Sequence, residues 1–316
     1  MSTTVVSEAE PEPQPGGPAQ PAPRRRRPFT VLGPYAVLAL PAALVVGFVA
    51  IPIVQTAVRS FDLLGVRGQV TGFGGLSNYR ALFSQPLFLI SLKNTLVYAA
   101  ASVVLCVVVA WLLAQLLSAR FGASRPLLVS VFSPTVMPMI AAANIWLYFL
   151  APRIGLFGQL LGAIGVHGSN LLGEPGSALG VLVALFVWKF APYFALFIMA
   201  GLQAIPQSVR EALRTEDPTG RYAFRRVVLP MLAPMLAFVT TMALLYSVET
   251  IDSVYVLTQG GPNNGTSLVM YYLYQLGFNY FSWGPAAALS ALLMASLSTL
   301  SGLSLIGLER RAFHWQ

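Results

Sequence analysis

A chain of 316 residues that is 56% hydrophobic and only 9% charged, with a mean hydropathy of +0.70, is too apolar for an ordinary soluble domain. On such a chain a formal net charge of +8 points to membrane orientation rather than to nucleic-acid binding. Cys106, the lone cysteine, sits in an apolar run and reads as a small buried residue, which excludes a disulfide framework, a CxxC motif and a thiolate metal site.

Residues 1–28 carry Glu8, Glu10 and Glu12, seven prolines and the run Arg24-Arg25-Arg26-Arg27. With so little apolar surface to bury, they are predicted to form a disordered cytoplasmic tail. The four arginines suit anionic lipid and, more simply, serve as an orientation signal. No small-residue cleavage site follows, so a removable signal peptide is not expected. About 20 apolar residues cross a bilayer core. Six stretches qualify, at about 31–56, 90–118, 126–150, 177–203, 229–252 and 284–308. Pro34, Pro41 and Pro52 in the first are tolerable where neighbouring helices satisfy the freed carbonyls. Pro134 and Pro138 predict a kink in the third, and Gly284-Pro285 marks the start of the sixth. The expected fold is an all-α membrane protein with a six-helix transmembrane domain over 29–311 and a short tail at 312–316.

Lys and Arg set the orientation. With the tail inside, thirteen of the nineteen fall on the cytoplasmic side (Arg24 to Arg27, Arg120, Arg125, Arg210, Arg214, Arg221, Arg225, Arg226, Arg310 and Arg311), and five outside (Arg59, Arg67, Arg80, Lys93 and Arg153). Lys189 lies within a span. Both termini are therefore predicted to be cytoplasmic, and so is the segment 204–228. The outer segments 59–89, 151–176 and 253–283 exceed minimal connections. The first is turn-rich, with Gly72, Gly74, Gly75 and Asn78. The second holds a short apolar stretch at 156–164 that suits a helix at the membrane surface. The third closes a tight loop at Gly260-Gly261-Pro262-Asn263-Asn264-Gly265 before Tyr271, Tyr272, Tyr274, Phe278, Tyr280, Phe281 and Trp283. These aromatics read first as an interfacial belt and second as contacts for an external partner.

The segment 207–228 is the only charge-dense stretch between two long apolar ones. Over 207–216, Val209, Ala212 and Leu213 recur at helical spacing, and Pro218 and Gly220 end the helix. A second short helix from Thr219 or Gly220 would set Phe224, Val227 and Val228 on one face. Two short amphipathic helices joined by a bend make a knob suited to a groove in a soluble partner, with Glu211, Glu216 and Asp217 against Arg210, Arg214, Arg221, Arg225 and Arg226 available for steering. From charge alone, an ordinary positive-inside loop that merely fixes topology explains the segment better.

The letters in and around it are specific. Trp188-Lys189 and Ala200-Gly201-Leu202-Gln203-Ala204-Ile205-Pro206 come before Glu211-Ala212. Phe224 and Val227-x-Leu229-Pro230 follow, then Pro234, Ile251-Asp252-x-x-Tyr255-x-Leu257-Thr258-x-Gly260-Gly261-Pro262 and Gly284-x-Ala286-Ala287-Ala288-x-Ser290. This ordered set, over about 30–311, resembles the permease subunits of binding-protein-dependent ABC importers for carbohydrates, similar to the maltose and glycerol-phosphate permeases. The resemblance implies an ATPase-coupling role for Glu211, Ala212, Glu216, Asp217, Gly220 and Phe224. It departs at Glu216-Asp217-Pro218, where the family has Asp-Gly-Ala, so a bend of altered geometry is expected. It further implies a second homologous permease subunit, a cytoplasmic ABC ATPase dimer that binds ATP and Mg, an extracytoplasmic solute-binding protein and a carbohydrate substrate, in the cell membrane of a prokaryote. No cofactor, catalytic residue or metal site is expected in this chain, which has no phosphate-binding Gly-x-x-x-x-Gly-Lys-Ser/Thr loop.

By the same resemblance, Tyr193, Tyr246, Ser247 and Thr250 stand at substrate-pathway positions, while Phe186 and Phe190 replace smaller or more polar residues. Helix-bundle packing is the alternative for these positions. Lys189, Glu249 and Asp252 are intramembrane charges, which by default suggest function. Glu249 and Asp252 are predicted to share a helix face, and Lys189 either pairs with one of them to tie two helices or serves transport. An ion-coupled secondary transporter built on these three charges is the alternative function. A membrane-embedded enzyme ranks third, since His167 and His314 are the only histidines and lie far apart in sequence.

Overall fold

The computed structural model describes residues 38–119, 125–151, 154–163, 170–209, 211 and 224–312. The predicted tail at 1–28 and the predicted bend at Glu216-Asp217-Pro218 lie outside these residues. The chain divides into two compact units, Met1–Ile53 and Val54–Gln316. Residues 38–53 of the first unit are helical throughout. They form the greater part of helix α1 (Leu38–Arg59).

In the second unit an antiparallel hairpin of β1 (Asp62–Leu64) and β2 (Val70–Phe73) precedes α2 (Ser77–Phe83), α3 (Pro86–Ala119), α4 (Arg125–Val136), α5 (Met139–Phe149) and α6 (Leu156–Ala163). Next come α7 (Pro175–Gln203), α8 (Phe224–Val248), α9 (Asp252–Leu257), α10 (Val269–Tyr274) and α11 (Trp283–Ala312). A π-helical turn at Phe224–Val228 opens α8, and another at Gln275–Asn279 follows α10. Among the described residues five helices, α1, α3, α7, α8 and α11, are long and apolar enough to cross a membrane, and α4 with α5 makes a sixth if the pair is one span. The protein is therefore mostly helical, as expected, with one short hairpin that the all-α expectation did not contain.

Two predicted spans need correction. The third is not a kinked helix over 126–150 but two helices meeting at 106°. Pro134 stays inside α4, and the break falls at Pro138, whose ψ of 145° is extended. A proline supplies no N–H and pushes the preceding residue out of the helical region. The fifth span does not run to 252. It occupies Phe224–Val248, and the chain turns at 249–251, with Ile251 at φ −127° and ψ −45°, before α9 begins. Glu249 caps α8 and Asp252 opens α9, so the two do not share a helix face. At this end of α8, Ser247 Oγ donates to Leu244 O and Thr250 Oγ1 to Tyr246 O. Hydroxyls that take up backbone acceptors in this way favour helix ends.

The core follows from a stripe on α3. Ser102, Cys106, Ala110 and Ala114 recur every fourth residue and are buried. Side chains this small on one face let a neighbouring helix approach closely. The most extensive packing in the molecule is α3 against α7, whose Leu182, Leu185, Phe186 and Phe194 are fully buried, and α8 adds Val239 and Ala243. Cys106 is buried, as predicted. Ala142 and Ala143 of α5 likewise admit α9, which buries Val254.

Asn78 fastens the hairpin. Its amide donates to Ser60 O at 2.9 Å and to Asp62 O at 2.8 Å, and a Cβ on Gly284 would collide with that amide. Asn78→Ala is expected to leave a buried carbonyl without a donor, at about 1–3 kcal/mol. A thermal-unfolding scan of the purified protein should show a melting point lowered by several degrees, and an unchanged melting point would mean that water replaces the amide.

Candidate functional site

The segment predicted to engage a soluble partner emerges from α7 with Ala204 as the C-cap and Ile205 buried as an anchor. Residues 207–209 and 211 are helical, and Gln207 Nε2 donates to Glu211 Oε1 at 2.7 Å, an i,i+4 pair on the exposed side. Ala212, Glu216, Asp217 and Gly220 lie outside the described residues. At the far end of the segment Phe224 enters the first turn of α8 and packs against Trp111 of α3, with ring centroids 5.3 Å apart and the planes inclined at 56°. Phe224 is thus held by the bundle itself, so the described ends of this segment sit on the end of α7 at the buried Ile205 and against α3 at Phe224. The sequence signal for Phe224 was its position in the motif. The contact with Trp111, more than a hundred residues away, had no signal.

The proposed pathway residues fall into two groups. Tyr193 and Tyr246 are half-buried and come together between α7 and α8 within a run of aromatic rings. Tyr246 lies 5.3 Å from Phe190 and 6.2 Å from Phe194, and Tyr193 lies 5.1 Å from Phe197. Ring faces with phenol hydroxyls between them are the chemistry a carbohydrate requires. Ser247 and Thr250 are buried, and their hydroxyls are occupied by backbone carbonyls of α8. Thr250 also lies 3.4 Å from the hydroxyl of Tyr98, a fully buried residue of α3 that sequence reasoning missed. Phe186 packs edge-on against Tyr98 and face-to-side against Phe190 at 4.7 Å, so it is a core residue rather than a lining one.

Lys189 is 5% exposed. Its ammonium donates to Pro134 O at 3.2 Å and to Met137 O, at the break between α4 and α5, and lies 5.8 Å from the Phe190 ring. The predicted pairing with Glu249 or Asp252 is replaced by these carbonyls. Pro134 O would accept from residue 138 in a continuous helix, and Pro138 has no N–H to give. Sequence reasoning noticed the charge and the proline separately and had no way to join them.

A second missed set lies at the start of α3. Ser91, Asn94 and Thr95 share one helix face. Ser91 Oγ meets Ser267 Oγ at 2.9 Å, Asn94 Nδ2 donates to Asn264 O at 2.8 Å, and Thr95 Oγ1 accepts from Val269 N at 2.8 Å. The loop predicted at 260–265 is pinned by them. Gly265 sits so close to Pro175, at the start of α7, that a Cβ would collide with the proline ring. One polar face of α3 thereby joins the loop, α10 and the head of α7.

The chain is similar to known proteins along most of its length. Residues 107–314 match the family described as binding-protein-dependent transport system inner membrane component. The chain is 30% identical over 282 residues to the sn-glycerol-3-phosphate transport system permease protein UgpA of Brucella abortus, covering 89% of this chain and 96% of that one. It is 31% identical over 237 residues to the trehalose/maltose transport system permease protein MalF of Thermococcus litoralis, covering 75% and 79%. Its fold is similar to a chain of the crystal structure of a bacterial ABC transporter involved in the import of the acidic polysaccharide alginate, with a TM-score of 0.78 and 18% identity, covering 89% of this chain and 98% of that one. A match over most of the chain, on a helical bundle with this ordered set of motifs, places the protein in the family of binding-protein-dependent transport system inner membrane components, the permease subunits of ABC importers.

Proposed function

We propose that this chain is one of two homologous permease subunits of an ATP-driven importer for a carbohydrate or polyol phosphate. Six spans with both termini in the cytoplasm complete this reading, and the thirteen-to-five bias of basic residues supports that orientation. The observation that carries the substrate class is similarity over most of the chain to permeases named for glycerol phosphate and for trehalose and maltose. An extracytoplasmic binding protein delivers the solute. A cytoplasmic ATPase dimer binds ATP and Mg and hydrolyses the nucleotide. Closure of that dimer moves the segment around Glu211, and the movement passes through Ile205 and Phe224 into α7 and α8. Tyr193 and Tyr246, which face each other across those two helices, then separate or approach and alternately admit and release the solute.

The test is reconstitution. Liposomes holding this chain with its co-expressed ATPase and second permease should accumulate labelled glycerol phosphate or maltooligosaccharide only with ATP inside and binding protein outside. Uptake by this chain alone, without nucleotide, would refute the importer reading.

A further inference from the structure

A cavity of about 400 Å³ that none of the pathway residues lines lies at the end of the bundle where α1 finishes and α11 starts. Its size falls within the ~300–1,000 Å³ of small-ligand sites. Arg59, the last residue of α1, stands at its rim with Leu64 and Gly68 of the hairpin. From Trp283 to Ser290 the floor descends along α11 for seven residues, roughly 10 Å at the helical rise. Ala286 and Ala287 on that floor are small, and the remaining wall comes from Thr56 of α1, Ile251 in the turn after α8, and α10 with the turn after it, where Tyr274 is stacked on Phe278 at 5.1 Å.

Three features decide what fits. Among the described residues that line the cavity, Arg59 is the only charged one, and no Asp or Glu accompanies it. The cation sits at the end of a membrane-length helix, beside the aromatics that the sequence predicts for an interfacial belt, and so at headgroup level. Below it the slot is apolar over about the depth of several methylenes. The indole N–H of Trp283 donates to Val66 O at 2.8 Å, which ties this wall of the slot to the hairpin. A free sugar phosphate would satisfy Arg59 and leave the apolar floor empty.

We propose that this slot binds an anionic phospholipid, with its phosphate on Arg59 and an acyl chain along Ala286, Ala287 and Ser290. The proposal is independent of the transported solute, because the slot shares no residue with Tyr193, Tyr246, Ser247 or Thr250.

The test uses the complete importer, purified in detergent and stripped of lipid, titrated with phosphatidylglycerol, with phosphatidylcholine and with soluble glycerol phosphate, and followed by lipid adducts in native mass spectrometry. Phosphatidylglycerol is expected to bind about fivefold more tightly than phosphatidylcholine, the preference one cation at the surface confers. Arg59→Gln should erase that preference, Arg59→Lys should restore it, and Ala287→Phe should weaken both lipids by filling the slot. Equal binding of the two lipids to the wild type would overturn the proposal, as would unaltered binding to Ala287→Phe. Saturable binding of glycerol phosphate that matches the lipid would reassign the slot to a soluble anion. Labelling of an Ala287→Cys variant that is blocked by the second permease and not by added lipid would reassign it to subunit packing. Size-exclusion profiles identical to wild type establish that each variant is folded.

Discussion

Replacing Glu211 with lysine is expected to reduce ATP-dependent uptake by at least about thirtyfold while leaving the affinity of the external binding protein unchanged. Glu211 lies on the exposed side of a helical turn, held by Gln207 Nε2 at 2.7 Å, only a few residues from the buried anchor Ile205. In the importer reading proposed above, this exposed carboxylate meets a complementary group of the cytoplasmic ATPase. Losing one member of a desolvated, hydrogen-bonded charge pair costs about 2–5 kcal/mol at protein interfaces, and charge reversal adds repulsion. The lower figure alone is about thirtyfold. Glu211→Gln keeps an acceptor for the same contact and should retain more activity than the lysine variant. The measurement pairs uptake in proteoliposomes with co-purification of the ATPase. Wild-type uptake by Glu211→Lys would return the segment to a loop that merely fixes orientation.

How far the sequence could be read depended on where each signal resides. Hydropathy located the membrane helices because each must be satisfied by its own letters, and the boundaries of α3, α7 and α11 fall within a few residues of expectation. The sharp break at Pro138 was half visible, since proline announces an interruption but not its angle. The break after α8 was invisible. Glu249, Thr250 and Ile251 contain neither glycine nor proline, and the turn depends on hydroxyls that bond to their own helix and on α9 finding the small residues of α5. The hairpin was missed because β1 and β2 are three and four residues long and rest on Asn78, a tertiary contact. The site divided in the same way. Motif order named Glu211 and Phe224, and the family resemblance named Tyr193 and Tyr246, which the structure brings together between α7 and α8. The resemblance could not foresee that Ser247 and Thr250 would be buried, because nothing in the letters told on which side of α8 Tyr98 would press.

Lys189 offers the sharpest separation between a structural and a transporting charge. Its two described acceptors are carbonyls at the α4–α5 break, one of which lost its donor to Pro138. Within the bilayer there is no bulk water to replace such a donor. Lys189→Met should therefore orphan both carbonyls at about 1–3 kcal/mol each. A melting point lower by at least about 5 °C should follow, with a parallel loss of uptake as α5 loses its angle. Lys189→Gln removes the charge but keeps an N–H donor. If the side chain caps the break, Gln should recover a large part of both stability and transport. If instead Lys189 carries charge during an ion-coupled cycle, Gln should fold as well as the wild type and fail to transport. Thermal unfolding and proteoliposome uptake, measured on the same preparations, distinguish the two. A Met variant as stable and active as wild type would remove Lys189 from either role. The cap is the stronger expectation because a lysine that swung away to carry charge would leave the bent span without its donors at each turnover.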